Sequence, residues 1–263
     1  MNDWAGLLTS QLLQAHLVSV AVICARLLPI AFLCPLLGGQ LAPTTVKLGL
    51  VLSLGLFLHA AAGVDAPGVT SAFELVGLVF QEFLLGTTMG LIAALPFDAA
   101  RMGGRFIDLF RGSSAEAALP MTGSKESATG DALYQLLLAV SAAGVVMPLA
   151  LSGLFRSYAL APLGRFAHSE AVVLEVVRLV GTAFATGLAL GAPIAAVSLA
   201  VDAVMGLASR AAPSMNLQET GAPLRILGGG AVLWLMVGLV LDRLLATAVE
   251  APAAMGAVLE LGR

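Results

Sequence analysis

The sequence predicts an all-α protein built from hydrophobic helical hairpins that pass repeatedly through a membrane. Three observations carry this. Of 263 residues, 59% are hydrophobic and 11% are charged, with a mean hydropathy of +0.98. Ordinary soluble domains carry about 25% charged residues, so too few charges exist here to cover a water-facing surface. The apolar residues gather in stretches that approach the roughly 20 residues needed to cross a bilayer. The gaps between stretches are mostly short and contain Pro and Gly, which stop a helix and favour antiparallel neighbours.

Taken in order, the apolar stretches cover residues 12–37, 46–62, 73–95, 132–155, 171–201 and 226–241, giving five or six long helices. Pro35, Gly38, Gly39 and Pro43 interrupt the first pair, Asp65-Ala66-Pro67-Gly68 the second, and Pro213 and Pro223 the last. One long central loop is expected over 96–131, where Gly112-Ser113-Ser114-Ala115-Glu116 and Thr122-Gly123-Ser124-Lys125-Glu126-Ser127 concentrate small and polar side chains. A loop that long in an economical chain is usually functional or disordered. Small residues four apart, Gly49 with Ser53, Gly86 with Gly90 and Gly187 with Gly191, allow helix backbones to approach closely, and Gly228-Gly229-Gly230 offers the same. No fixed repeat is evident, and a single domain is expected over 1–263.

The few charges are informative by position. Arg26, Glu82, Glu175 and Arg178 fall inside apolar stretches, where an unpaired charge at a helix centre costs at least about 2.5–3.5 kcal/mol. They must face protein or a wet path. Glu82, Glu175, Asp202 and Asp242 could form a proton relay, the reading for a stand-alone transporter. Arg105 with Asp108, Asp108 with Arg111 and Glu175 with Arg178 stand three apart, so helical ion pairing accounts for much of this acidity. Seven basic residues lie in or beside alternate gaps on one side and four on the other, which favours a periplasmic N-terminus.

Other function classes drop out. A net charge of −3 with no basic block argues against nucleic acid. Cys24 and Cys34 have neither redox nor metal spacing, and His16, His59 and His168 are far apart in sequence, so no metal or other cofactor is expected. No phosphate loop, dinucleotide fingerprint, zinc-protease helix or nucleophile elbow is present. Ser152-Gly153 with His168 is too little for a serine protease. The chain is expected not to be an enzyme.

A longer pattern then resembles a known family. Glu82-x3-Gly86-x3-Gly90, Leu95-Pro96-Phe97 and Gly104-x3-Asp108-x2-Arg111-Gly112-Ser113 resemble the middle of the FliR/SctT family of type III secretion export-apparatus proteins. Arg26-x2-Pro29-x5-Pro35 with Pro43 is similar to the family's first segment, and Ser157-Tyr158-x3-Pro162 to its central turn. Ala192-Pro193 followed by Asp202-x3-Gly206-Leu207-x2-Arg210-x2-Pro213-x2-Asn216 is similar to its most diagnostic stretch. The resemblance covers about residues 20–230, and it favours the injectisome branch over flagellar FliR.

The resemblance implies an inner-membrane subunit of the export gate, shaped like an SctR-like and an SctS-like element fused. Its implied partners are SctR/FliP-like and SctS/FliQ-like subunits, an SctU/FlhB-like switch protein, and the unfolded proteins that leave through the channel. It also implies a plug that seals the pore, carried onto Asp108, Arg111, Gly112, Ser113 and Ser114. Arg26, Glu82, Asp202 and Arg210 are expected to form ion pairs, either between subunits during assembly or within the chain.

Overall fold

The computed structural model describes residues 3–39, 42–69, 71–112, 116–118, 125–211 and 217–263. It is helical almost throughout. Helices α1 (Asp3–Leu33), α2 (Thr44–Ala62) and α3 (Ala72–Arg111) come first. Two three-residue strands, β1 (Glu116–Ala118) and β2 (Lys125–Ser127), precede α4 (Ala128–Ala143), α5 (Val146–Leu160), α6 (Glu170–Ala211) and α7 (Leu217–Leu261). Among the described residues, five helices are long and apolar enough to cross a membrane, and α4 with α5 makes a sixth span if the two are taken together. The all-α expectation holds apart from the small β1–β2 pair.

The central connection is shorter than the expected loop over 96–131. Helix α3 continues through Pro96 to Arg111, and α4 starts at Ala128, leaving only residues 112–127 between them. Proline removes one hydrogen bond from a helix interior. Here Phe97, Ala99 and Ala100 are buried immediately beyond it, so packing carries the helix across.

The chain divides into two compact units. The first comprises Met1–Ala94, Val145–Arg178 and Val249–Arg263; the second comprises Leu95–Gly144 and Leu179–Ala248. In the first unit, Val22, Ile23, Leu27 and Ile30 of α1 are buried together with Leu85, Met89 and Ile92 of α3 and Leu154 and Tyr158 of α5. Gly86 makes the α1–α3 contact possible, because a Cβ there would fall 2.1 Å from the Arg26 carbonyl oxygen. Gly49, by contrast, has nothing within 4 Å of that position and supports no helix contact.

The connection from α2 to α3 is strapped to α1. Helix α2 ends at Gly63 in the left-handed conformation. The Ala66 amide then donates to Ser19 Oγ at 3.0 Å, and His59 Nε2 lies 2.9 Å from His16 Nδ1. His59 Nδ1 faces both the Val64 carbonyl and the Asp65 carboxylate at 3.1 Å. Two histidines far apart in sequence thus meet where α1 and α2 pack. Cys34, just after α1, is buried, and burial pushes its thiol up from the ordinary range, which suits an inert packing residue.

In the second unit, Phe97, Ile107, Leu133, Tyr134, Leu137, Leu190, Ile194, Val240 and Leu244 form the core. Helices α3 and α6 cross where Gly187 faces the Ala99 carbonyl, with a Cβ there only 3.1 Å from that oxygen.

Candidate functional site

The connection between α3 and α4 has two pinned feet. At its start, Gly112 takes a φ of +68°, a conformation that favours glycine and ends α3. At its return, β2 leads into α4 with Ser127 as N-cap, its Oγ accepting from the Gly130 amide at 3.0 Å. Asp108, one turn before the end of α3, joins the two. Its carboxylate accepts from Ser127 Oγ at 2.5 Å, from the Thr129 amide at 3.0 Å and from Thr129 Oγ1 at 2.5 Å. A buried carboxylate is kept only with such donors, and these donors come from the far foot of the loop.

Backbone contact reinforces the closure. A Cβ on Gly104 would lie 2.2 Å from the Gly130 Cα, so α3 and α4 touch main chain to main chain one turn below Asp108. Arg101 lies over the Tyr134 ring, 3.8 Å from guanidinium carbon to ring centre, and 3.9 Å from Asp131. Between the feet, β1 and β2 pair antiparallel, with Glu116 opposite Ser127, Ala117 opposite Glu126 and Ala118 opposite Lys125. Ser113 and Ser114, expected in the plug, lie outside the described residues.

Arg111 is the last residue of α3. Its Nη1 is 3.9 Å from Asp108 Oδ1, and its Nη2 donates to the Ile226 carbonyl of α7 at 3.3 Å. Of the expected plug residues, Asp108, Arg111 and Gly112 therefore stand together at one foot of the loop.

The first unit holds a second constellation. Arg26 Nε donates to Glu82 Oε2 at 2.5 Å, and neither side chain reaches solvent. The Arg26 terminal nitrogens donate to the Ser157 carbonyl at 3.3 Å and the Ala161 carbonyl at 2.9 Å. Glu82 Oε1 accepts from the Gly164 amide at 2.8 Å. The Tyr158 ring covers the guanidinium at 4.4 Å and its hydroxyl donates to the Ile23 carbonyl. One ion pair thus links α1, α3, the end of α5 and the turn after it. Gln81, the neighbour of Glu82, donates to the Phe166 carbonyl in that same segment.

The remaining predicted charges are near the surface. Asp202 of α6 faces Arg225 of α7, with Arg225 Nη1 3.4 Å from its carboxylate. Arg210 is exposed in the last turn of α6. Glu175 and Arg178 form the expected pair at 2.8 Å. Of the carboxylates of a supposed proton path, Glu82, Glu175 and Asp202 each face an arginine of their own, and Asp242 of α7 is exposed. Among the described residues no cluster of three or more His, Cys, Asp or Glu is arranged to hold a metal.

Sequence reasoning missed Ser127 and Thr129 as partners of Asp108. The available signal was the Ser127 N-cap with Asp131 in the following turn, which marks a helix start four residues before the apolar stretch.

Residues 17–250 match the family described as bacterial export proteins, family 1. The chain is 29% identical over 220 residues to the Yop proteins translocation protein T of Yersinia pestis, covering 82% of this chain and 84% of that protein. It is 30% identical over 207 residues to the surface presentation of antigens protein SpaR of Salmonella typhimurium, covering 76% of each. The flagellar biosynthetic protein FliR of Bacillus subtilis is 26% identical over 197 residues, covering 73% of this chain and 75% of that protein. With a match running from α1 into α7, this multi-pass chain belongs to the bacterial export proteins, family 1, the FliR/SctT family its sequence resembles.

Proposed function

We propose that this chain is the inner-membrane subunit that completes a type III secretion export gate of the injectisome kind, with residues 112–127 as a plug across the path of unfolded substrates. The observation that carries the plug is its mounting: both feet of the loop are tied through Asp108, whose carboxylate holds Ser127 and Thr129. Fixed feet allow a tip to enter and leave a pore without remodelling the helices beneath it. Family membership supports the export setting, and the relatives named for Yop translocation and SpaR support the injectisome branch.

The partners are SctR/FliP-like and SctS/FliQ-like gate subunits, together with an SctU/FlhB-like switch protein. Large apolar side chains support this reading, since Phe73, Trp234 and Leu235 are 88%, 76% and 73% exposed in the isolated chain and need either lipid or protein cover. Asp202 and Arg210, near the surface of α6, are the assembly contacts. Arg26 and Glu82, which are buried, act by holding the shape of the first unit. The work is mechanical, with no catalytic group assigned.

Deleting residues 112–118 in the assembled gate tests the plug, with raised ion conductance expected and unchanged conductance refuting it. Co-expression with the SctR-like and SctS-like subunits, read by native mass, tests the assembly. Charge reversal of Asp202 should reduce co-purification with the SctR-like subunit; undiminished co-purification rejects it as a contact.

A further inference from the structure

We infer that Gly229 of α7 is a positioning residue for the loop: it is the seat on which Arg111 anchors the loop's first foot. The consequence for sealing rests on the plug reading above; the anchoring itself does not. Helix α7 carries Gly228-Gly229-Gly230 in its interior, where three glycines in a row weaken a helix through backbone freedom and so call for a packing reason.

The geometry separates the three. A Cβ on Gly229 would stand 2.5 Å from Arg111 Cγ and 3.1 Å from its Cδ, with Ile194 Cγ2 at 3.2 Å on the other side. A Cβ on Gly230 would stand 3.2 Å from Arg111 Nη2. One on Gly228 would meet only Val197 Cγ1 at 3.6 Å, an ordinary contact. The stem of Arg111 therefore lies flat across Gly229, and its end passes over Gly230 to donate to the Ile226 carbonyl, one turn earlier in α7.

The contact matters because of where Arg111 sits. It is the last helical residue before Gly112 releases the chain, and the obstructing atom is Cγ, close to the backbone. A methyl at 229 cannot be accommodated by swinging the far end of the guanidinium. The whole side chain must leave, and with it the tie between the end of α3 and α7. Asp108 would still hold the second foot through Ser127 and Thr129.

Limited tryptic digestion of the assembled gate reads this directly, since trypsin cleaves after Arg111 only when that side chain is free. Gly229→Ala should speed cleavage of the Arg111–Gly112 bond by about tenfold, because cleavage follows the population of the open form, while Gly228→Ala should leave it unchanged. Equal rates in the two variants would overturn the inference. Should Gly229→Ala fail to assemble, the Arg111→Ala, Gly229→Ala double variant, which removes the stem the methyl would strike, should regain co-purification with the partner subunits; a double variant no better than the single overturns the seat. Ion conductance keeps the two readings apart: faster cleavage with raised leakage supports both, and faster cleavage with unchanged leakage supports the seat while rejecting the plug.

Discussion

Arg26 and Glu82 form an ion pair that no solvent touches, and the Ser157 and Ala161 carbonyls and the Gly164 amide hydrogen-bond to it. Close packing already seats α3 on the α1 backbone at Gly86. A charge pair at 2.5 Å fixes their register, since any slip would leave a buried charge without its partner.

Removing one member should therefore be far worse than removing both. Glu82→Gln or Arg26→Met is expected to destabilise by about 3–5 kcal/mol, and the Arg26→Met, Glu82→Leu double variant to recover much of that. Thermal unfolding of the full chain in detergent measures it. A double variant as unstable as the sum of the singles would contradict the account.

Asp108→Ala should loosen the loop's return rather than the whole unit. Three donors lose their acceptor, at a cost of about 1–3 kcal/mol for each that stays buried. Hydrogen exchange should accelerate at the Thr129 amide and through the first turn of α4, with little change in α5. Protection at Thr129 equal to that of the parent chain would count against Asp108 as the latch.

Two glycine substitutions should have opposite signs. Gly104→Ala drives a methyl into Gly130 Cα, and overpacking of this kind costs about 1–3 kcal/mol. Gly49→Ala meets nothing within 4 Å and should gain up to about 1 kcal/mol from helix propensity. Melting temperatures of the two variants, compared in the same detergent, decide the matter; a shared sign refutes it.

His59 should matter more than His16, because His59 Nδ1 faces Val64 and Asp65 while its Nε2 faces His16. His16→Ala removes one hydrogen bond, about 0.5–1.5 kcal/mol. His59→Ala removes the His16, Val64 and Asp65 contacts together, leaving only the Ala66–Ser19 hydrogen bond, and should expose residues 63–69 to proteolysis several-fold more. Equal protease sensitivity of the two variants would argue against the strap.

The helices were legible because apolar runs and Pro-Gly punctuation are local signals. The extension of α3 through Pro96 was not, since the reason it continues is burial of Phe97, Ala99 and Ala100 against residues distant in sequence. Arg26 and Glu82 could be suspected as a buried pair from their apolar surroundings, but 56 residues separate them and no spacing rule names the partner. Asp108 was singled out with helical neighbours in mind and does face Arg111, but it also binds Ser127 and Thr129 across the loop, partners that no helical spacing names. The glycine triplet had a visible composition and an invisible purpose, because a glycine reports only that something comes close.

The two tied feet give the loop a finite leash. With residues 112–127 leaving and returning at fixed points, the chain has roughly eight residues each way, which fully extended reach about 25–28 Å. The β1–β2 rungs begin at the returning foot, at Ser127, and four residues beyond Gly112 on the outgoing side. Whatever the loop touches between its feet must lie inside that radius.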